Sequence, residues 1–86
     1  MNLYEVISVW KRISPTEAVC YRCFRNLSTK KFSVQSADFY RLPLDPIQVA
    51  ALERQCLELF TEQVPDDRSG SFNSIEEAIL VHDAEF

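Results

Sequence analysis

Glycine is nearly missing from this chain: Gly70 is the single one among 86 residues. Loops that wrap glycine backbone around a phosphate are therefore excluded as a class. Histidine and tryptophan also occur once each, as His82 and Trp10. No apolar run approaches the roughly 20 residues that a membrane-spanning helix needs. The opening Met1-Asn2-Leu3-Tyr4-Glu5 has no basic segment followed by an apolar one, so no secretory leader is expected. Three cysteines, an odd number without a leader, read as free thiols in a reducing cytoplasm.

What is present describes a packed globule. The apolar fraction is 47%, too high for a disordered chain, and the length suits one domain over residues 1–86. Charge is divided unevenly. Residues 1–42 carry seven basic side chains against three acidic ones, and residues 43–86 carry two against ten. The plain reading of that division is attraction between a basic half and an acidic half.

The first half reads as three strands. Leu3 to Ile13 is rich in β-branched and aromatic residues, Ala18 to Arg25 is the middle stretch, and Lys31 to Ala37 alternates apolar with polar. Ser14-Pro15-Thr16 and Asn26-Leu27-Ser28-Thr29 are short, turn-prone links, which favour an antiparallel meander. Loop lengths predict Val9 opposite Tyr21 and Ile7 opposite Cys23, then Cys23 opposite Phe32 and Tyr21 opposite Val34. One face then gathers Ile7, Val9, Val19, Tyr21, Cys23, Phe32 and Val34 as a core. The other gathers Val6, Ser8, Trp10, Arg12, Cys20, Arg22, Phe24, Lys31, Ser33 and Gln35.

The second half reads as two helices. Asp45 is placed as an N-cap with Pro46 at the first helical position, and Leu44 and Val49 have hydrophobic-staple spacing. Val49, Leu52, Cys56, Leu59 and Phe60 form one stripe, ending near Val64 before Pro65. Pro65 to Ser71 reads as a polar, mobile link in which Asp66 and Asp67 are merely solvated. Ser74 and Glu77 make a capping box for a last helix, whose inner stripe is Ile75, Ala78, Ile79, His82 and Phe86. The expected fold is α+β, a three-stranded antiparallel β-meander followed by two α-helices packed on one face, in the order β-β-β-α-α.

Chemistry-bearing patterns are few. Cys20-Tyr21-Arg22-Cys23 has C-x-x-C spacing, but residues three apart on a strand point to opposite faces, so no zinc or redox pair is expected. Cys56 and His82 fall on the inner stripes of two helices expected over one sheet face, so a Cys–His pair is sterically conceivable, but no oxyanion loop or pocket signature accompanies it. The pair Glu76 and Glu77 opens a helix, where acids favour the dipole. The expectation is a non-enzymatic protein with no cofactor and no metal.

The face bearing Trp10, Arg12, Arg22, Phe24 and Lys31 is the candidate partner surface. Aromatic anchors beside arginines are typical of protein hot spots, with a protein partner or a second copy as occupant. The competing reading covers Trp10 and Phe24 with Phe39 to Leu42 or with the last helix. The alternative function is single-stranded nucleic-acid binding by the same aromatic and basic face, against which the negative net charge counts. A second candidate surface is an acidic helical face, with Leu57 and Leu80 among Glu53, Glu58, Glu76 and Asp83.

Overall fold

β-Branched and aromatic runs with tight links do form a meander. In a computed structural model, which describes residues 3–85, β1 is Tyr4–Ser14, β2 Glu17–Asn26 and β3 Phe32–Arg41. They form one antiparallel sheet in the order β1-β2-β3. Three helices follow: α1 (Pro46–Glu62), α2 (Pro65–Ser69) and α3 (Ile75–Glu85). The class and the order of strands and long helices are those expected.

The β1–β2 register is the predicted one, with Ile7 opposite Cys23 and Val9 opposite Tyr21. The β2–β3 register differs. Asn26 organises the turn, its Oδ1 accepting from Ser28 N at 2.9 Å and its carbonyl from Lys30 N at 2.8 Å. Lys30 takes a φ of 64°, the left-handed conformation that closes the turn. This places Arg25 opposite Phe32 and Cys23 opposite Val34, a slip of two that preserves the faces. Gln35 is then an extra residue between the pairs Cys23–Val34 and Arg22–Ser36. This bulge puts Ala37 opposite Tyr21, Phe39 opposite Val19 and Tyr40 opposite Ala18. The Gln35 amide donates to the Cys56 carbonyl of α1 at 3.0 Å, an anchor that the bulged position supplies.

The helices do not share a face, which corrects the expected packing. Val19, Tyr21, Cys23 and Val34, with Ile7, Val9 and Ala37, pack against Ala78 and Ile79 of α3. The Tyr21 hydroxyl donates to both oxygens of Asp83, at 3.0 and 3.1 Å. On the opposite side Phe24 stacks on Phe60 of α1 with centroids 4.8 Å apart, and Tyr4 meets Phe60 edge-on at 5.5 Å. The physical reason lies in β2, where Cys20 and Phe24 on one side and Tyr21 and Cys23 on the other are all buried. A strand apolar on both faces needs a layer on both.

Helix punctuation follows the sequence. Asp45 Oδ1 accepts from Ile47 N at 2.9 Å with Pro46 in the first turn, and Ser74 Oγ accepts from Glu77 N at 3.1 Å. Val49, Leu52, Cys56, Leu59 and Phe60 face inward, while Arg54, Glu58 and Glu62 are exposed. On α3, Ile75, Ala78, Ile79 and His82 form the inner stripe; Phe86 lies outside the described residues.

The segment read as a mobile link is instead a fastener. Pro65 is fully buried, and Asp66 accepts from the Asn26 amide at 2.8 Å, the Ser33 hydroxyl at 3.1 Å and the Tyr4 hydroxyl at 3.3 Å. One carboxylate thus touches all three strands. Ser33 also reaches the Gly70 carbonyl at 2.6 Å, and Phe72 exchanges backbone hydrogen bonds with Phe32 at 2.8 Å. Gly70 has a φ of 81°, so the chain's single glycine stands where a side chain would be strained. Asp66→Ala leaves the buried Asn26 amide short of an acceptor, while Ser33 keeps the Gly70 carbonyl, and is expected to cost about 1–3 kcal/mol in urea unfolding. A loss under about 0.5 kcal/mol would show that the carboxylate is not a fastener.

Candidate functional site

The far end of the sheet from Asp66 carries an apolar concavity. The β1–β2 turn, the end of β3 and the start of α1 enclose a groove of about 600 Å³. Its apolar walls include Trp10, Ala18, Tyr40, Leu42, Leu44 and Val49, and its rim includes Arg12, Glu17, Arg41 and Glu53. The volume is within the range of small-ligand and side-chain pockets. Leu44 and Val49, the staple pair at the α1 cap, form the helical wall, so the signal that starts the helix also shapes the site.

Trp10 is 57% exposed although its ring lies 5.3 Å from that of Tyr40. Tyr40 is there because the Gln35 bulge turns it onto this face. Beneath it, Arg22 Nε donates to Asp38 Oδ2 at 3.0 Å and a second guanidinium nitrogen to the Tyr40 hydroxyl at 2.7 Å. Burial works against the Arg22 charge, but Asp38 and Tyr40 outweigh it and hold its pKa above the ordinary value. The floor of the groove is therefore a satisfied polar network and its mouth an aromatic wall.

The five candidate residues separate. Trp10, Arg12 and Arg22 all line the groove. Arg12 is exposed, with only a 3.4 Å contact from Nε to the Ser14 carbonyl. Phe24 is on the predicted side of the sheet but 3% exposed beneath Phe60, so it is core and cannot be a surface anchor. Lys31 is exposed in the β2–β3 turn, at the opposite end of β2 from the groove.

The acidic helical face also dissolves as one surface. Leu57 and Leu80 are both exposed, but α1 and α3 lie on opposite sides of the sheet. Among the described residues no close ion pair joins the two halves of the chain either. The pairs Arg22–Asp38, Arg25–Glu5, Arg41–Glu17 and Arg54–Glu58 each stay within one half. The helical acids that do reach the sheet, Asp66 and Asp83, accept from neutral donors.

Cys20 and Cys23 point to opposite faces, and Cys56 and His82 are separated by the sheet. Cys56 receives the Gln35 amide at 3.4 Å, while the His82 ring meets Tyr21 edge-on at 6.3 Å on the other side. Among the described residues no three His, Cys, Asp or Glu side chains gather closely enough to hold a metal ion. No helix there is long and apolar enough to cross a membrane.

All three thiols are free and burial pushes each of them up, Cys23 to about 12. Unfolded thiols ionise near ~8.5, so folding holds the Cys23 proton more tightly than the open chain does. The resulting stability is intact below pH ~8.5 and lost as pH rises towards about 12. Raised Tyr4, Tyr21 and Tyr40 hydroxyls steepen the same alkaline decline. Thermal melts between pH 8 and 12 should show that decline, with a shallower slope in Cys23→Ala; a flat profile would contradict it. Comparison with protein-family models, curated proteins and solved structures gave no match.

Proposed function

We propose that the chain is a non-enzymatic protein-recognition module of the cytoplasm, which seats a large apolar side chain of a partner polypeptide in the Trp10 groove. The observation that carries this reading is the exposed Trp10 ring, propped against Tyr40 at the mouth of an apolar groove. A partner side chain entering there would bury aromatic surface without disturbing the Arg22–Asp38–Tyr40 network, and Arg12 at the rim can orient it. Tryptophan and arginine at a concave patch are the residue types that dominate binding energy at protein interfaces. Free cysteines agree with a reducing compartment, and thiols held protonated by burial are poor nucleophiles. Against the nucleic-acid alternative, Arg22 and Arg41 are already engaged by Asp38 and Glu17, and Lys31 is at the other end of the sheet.

Peptide-display selection on the immobilised domain tests the reading. Sequences with one large apolar or aromatic anchor are expected to be enriched, and Trp10→Ala should weaken them by about 30-fold, the loss of ~2 kcal/mol typical of a hot spot. Because the ring is more than half exposed, the same change should cost the fold only about 1 kcal/mol. No enrichment, or peptides indifferent to Trp10→Ala, would overturn the groove as the binding site.

A further inference from the structure

The long helices reach β1 only in part, α1 through Phe60 on Tyr4 and α3 beside Ile7 and Val9. Their closest backbone approach to the sheet is to β3, and Val6, Trp10 and Ile13 remain exposed on β1 with Leu3 just before it, Val6 at 63%. The other sheet edge is different, because Phe72 bonds to Phe32 and caps the start of β3. The outward backbone of β1 can be assigned. Leu27 N donates to the Leu3 carbonyl at 2.8 Å, so Leu3 faces Leu27 in a hydrogen-bonded pair. By alternation, Tyr4, Val6, Ser8, Trp10 and Arg12 direct their amides and carbonyls away from β2. A strand of 11 residues with this open row is a template for another strand.

We propose that β1 pairs antiparallel with β1 of a second copy about a twofold axis at Ser8, joining two sheets into one of six strands. The side chains select the partner and the register. With Ser8 on Ser8, Ile7 faces Val9, Val6 faces Trp10, Glu5 faces Lys11 and Tyr4 faces Arg12. Each contact occurs twice, as apolar on apolar, acid on base, and aromatic on guanidinium. A twofold axis through the sheet keeps its faces, so only shifts by two residues compete. One such shift sets Glu5 against Val9 and Lys11 against Leu3. The other sets Glu5 against Ile13, Arg12 against Val6 and Lys11 against Ile7. Both bury charge against apolar side chains, and only the register centred on Ser8 satisfies every pair. This association shares the Trp10 and Arg12 side chains with the groove, so the second copy and a peptide would compete for them. The two readings are told apart by Ser8→Pro, which leaves both side chains in place.

Sedimentation equilibrium over a concentration series tests it, with folding followed by circular dichroism. The wild type should be a concentration-dependent dimer. Ser8→Pro removes an outward amide without touching the β1–β2 ladder and should give a folded monomer. Glu5→Lys and Lys11→Glu should each weaken the dimer about tenfold by setting like charges opposite one another. Mixing those two variants should restore association, since each then meets the opposite charge on the other copy. A wild type that stays monomeric up to its solubility limit would overturn the proposal. So would a dimer indifferent to Ser8→Pro, or single variants that mixing does not rescue. Peptide selection on Ser8→Pro keeps the two readings separable, because the groove is unchanged in that variant.

Discussion

β2 is buried on both of its faces, and most of the architecture follows from that. Cys20 and Phe24 require one apolar layer and Tyr21 and Cys23 require another. In a sheet of only three strands those layers must come from outside it, so α1 and α3 are obliged to separate. Once separated, they leave the rest of the sheet unequally served. Both come closest to β3, and β1, reached only at Tyr4, Ile7 and Val9, keeps an exposed tryptophan on one face and an open row of amides along its edge. The two surfaces most suited to contact thus arise from the same deficit of helix.

The connection between α1 and α3 has to cross from one side of the sheet to the other, and α2 sets where it crosses. Asp66 is held by Tyr4, Asn26 and Ser33, one from each strand, at the turn end of the meander. Hydrogen bonds from neutral donors to a carboxylate are stronger than those between neutral groups and are less sensitive to screening than exposed ion pairs. That makes a short acidic segment a firmer joint than its polar composition suggests. The uneven charge of the two halves is therefore not the adhesive between them. It remains on the outside, where it affects solubility and encounter with other molecules.

Much of this was legible locally. Alternation marked the strands, and Asp45-Pro46 and Ser74 marked the helix starts, because each depends on residues a few positions apart. The β1–β2 register came out as predicted through a shorter turn, with Ser14 opposite Glu17 and Ile13 as the extra residue that restores it. What escaped depends on distant residues. Nothing near Gln35 announces a bulge; its amide binds the Cys56 carbonyl 21 positions away. Asp66 resembles any loop acid until Tyr4, Asn26 and Ser33 are brought around it. Phe24 was assigned to the correct face, and its failure as an anchor comes from Phe60 settling over it. Pattern tells which way a side chain points, whereas exposure depends on what arrives from elsewhere. Apolar residues on both parities were the available sign of two covered faces, present in β1 at Val6-Ile7 and Val9-Trp10 as well as in β2. Of those two strands the structure buries both faces only in β2.

An open edge strand is hazardous unless its partners are restricted, and β1 shows how the restriction can be written into side chains. Charges on an edge usually deter pairing, because an arbitrary strand would bury them without compensation. Glu5, Lys11 and Arg12 do so against most partners. Against a second β1 run backwards about Ser8, the same residues become complementary, since Glu5 and Lys11 are equidistant from the centre and so are Tyr4 and Arg12. The apolar positions obey the same symmetry, Ile7 with Val9 and Val6 with Trp10. In the proposed pairing one set of residues would repel foreign strands and admit its own, so specificity would need no element beyond the strand itself.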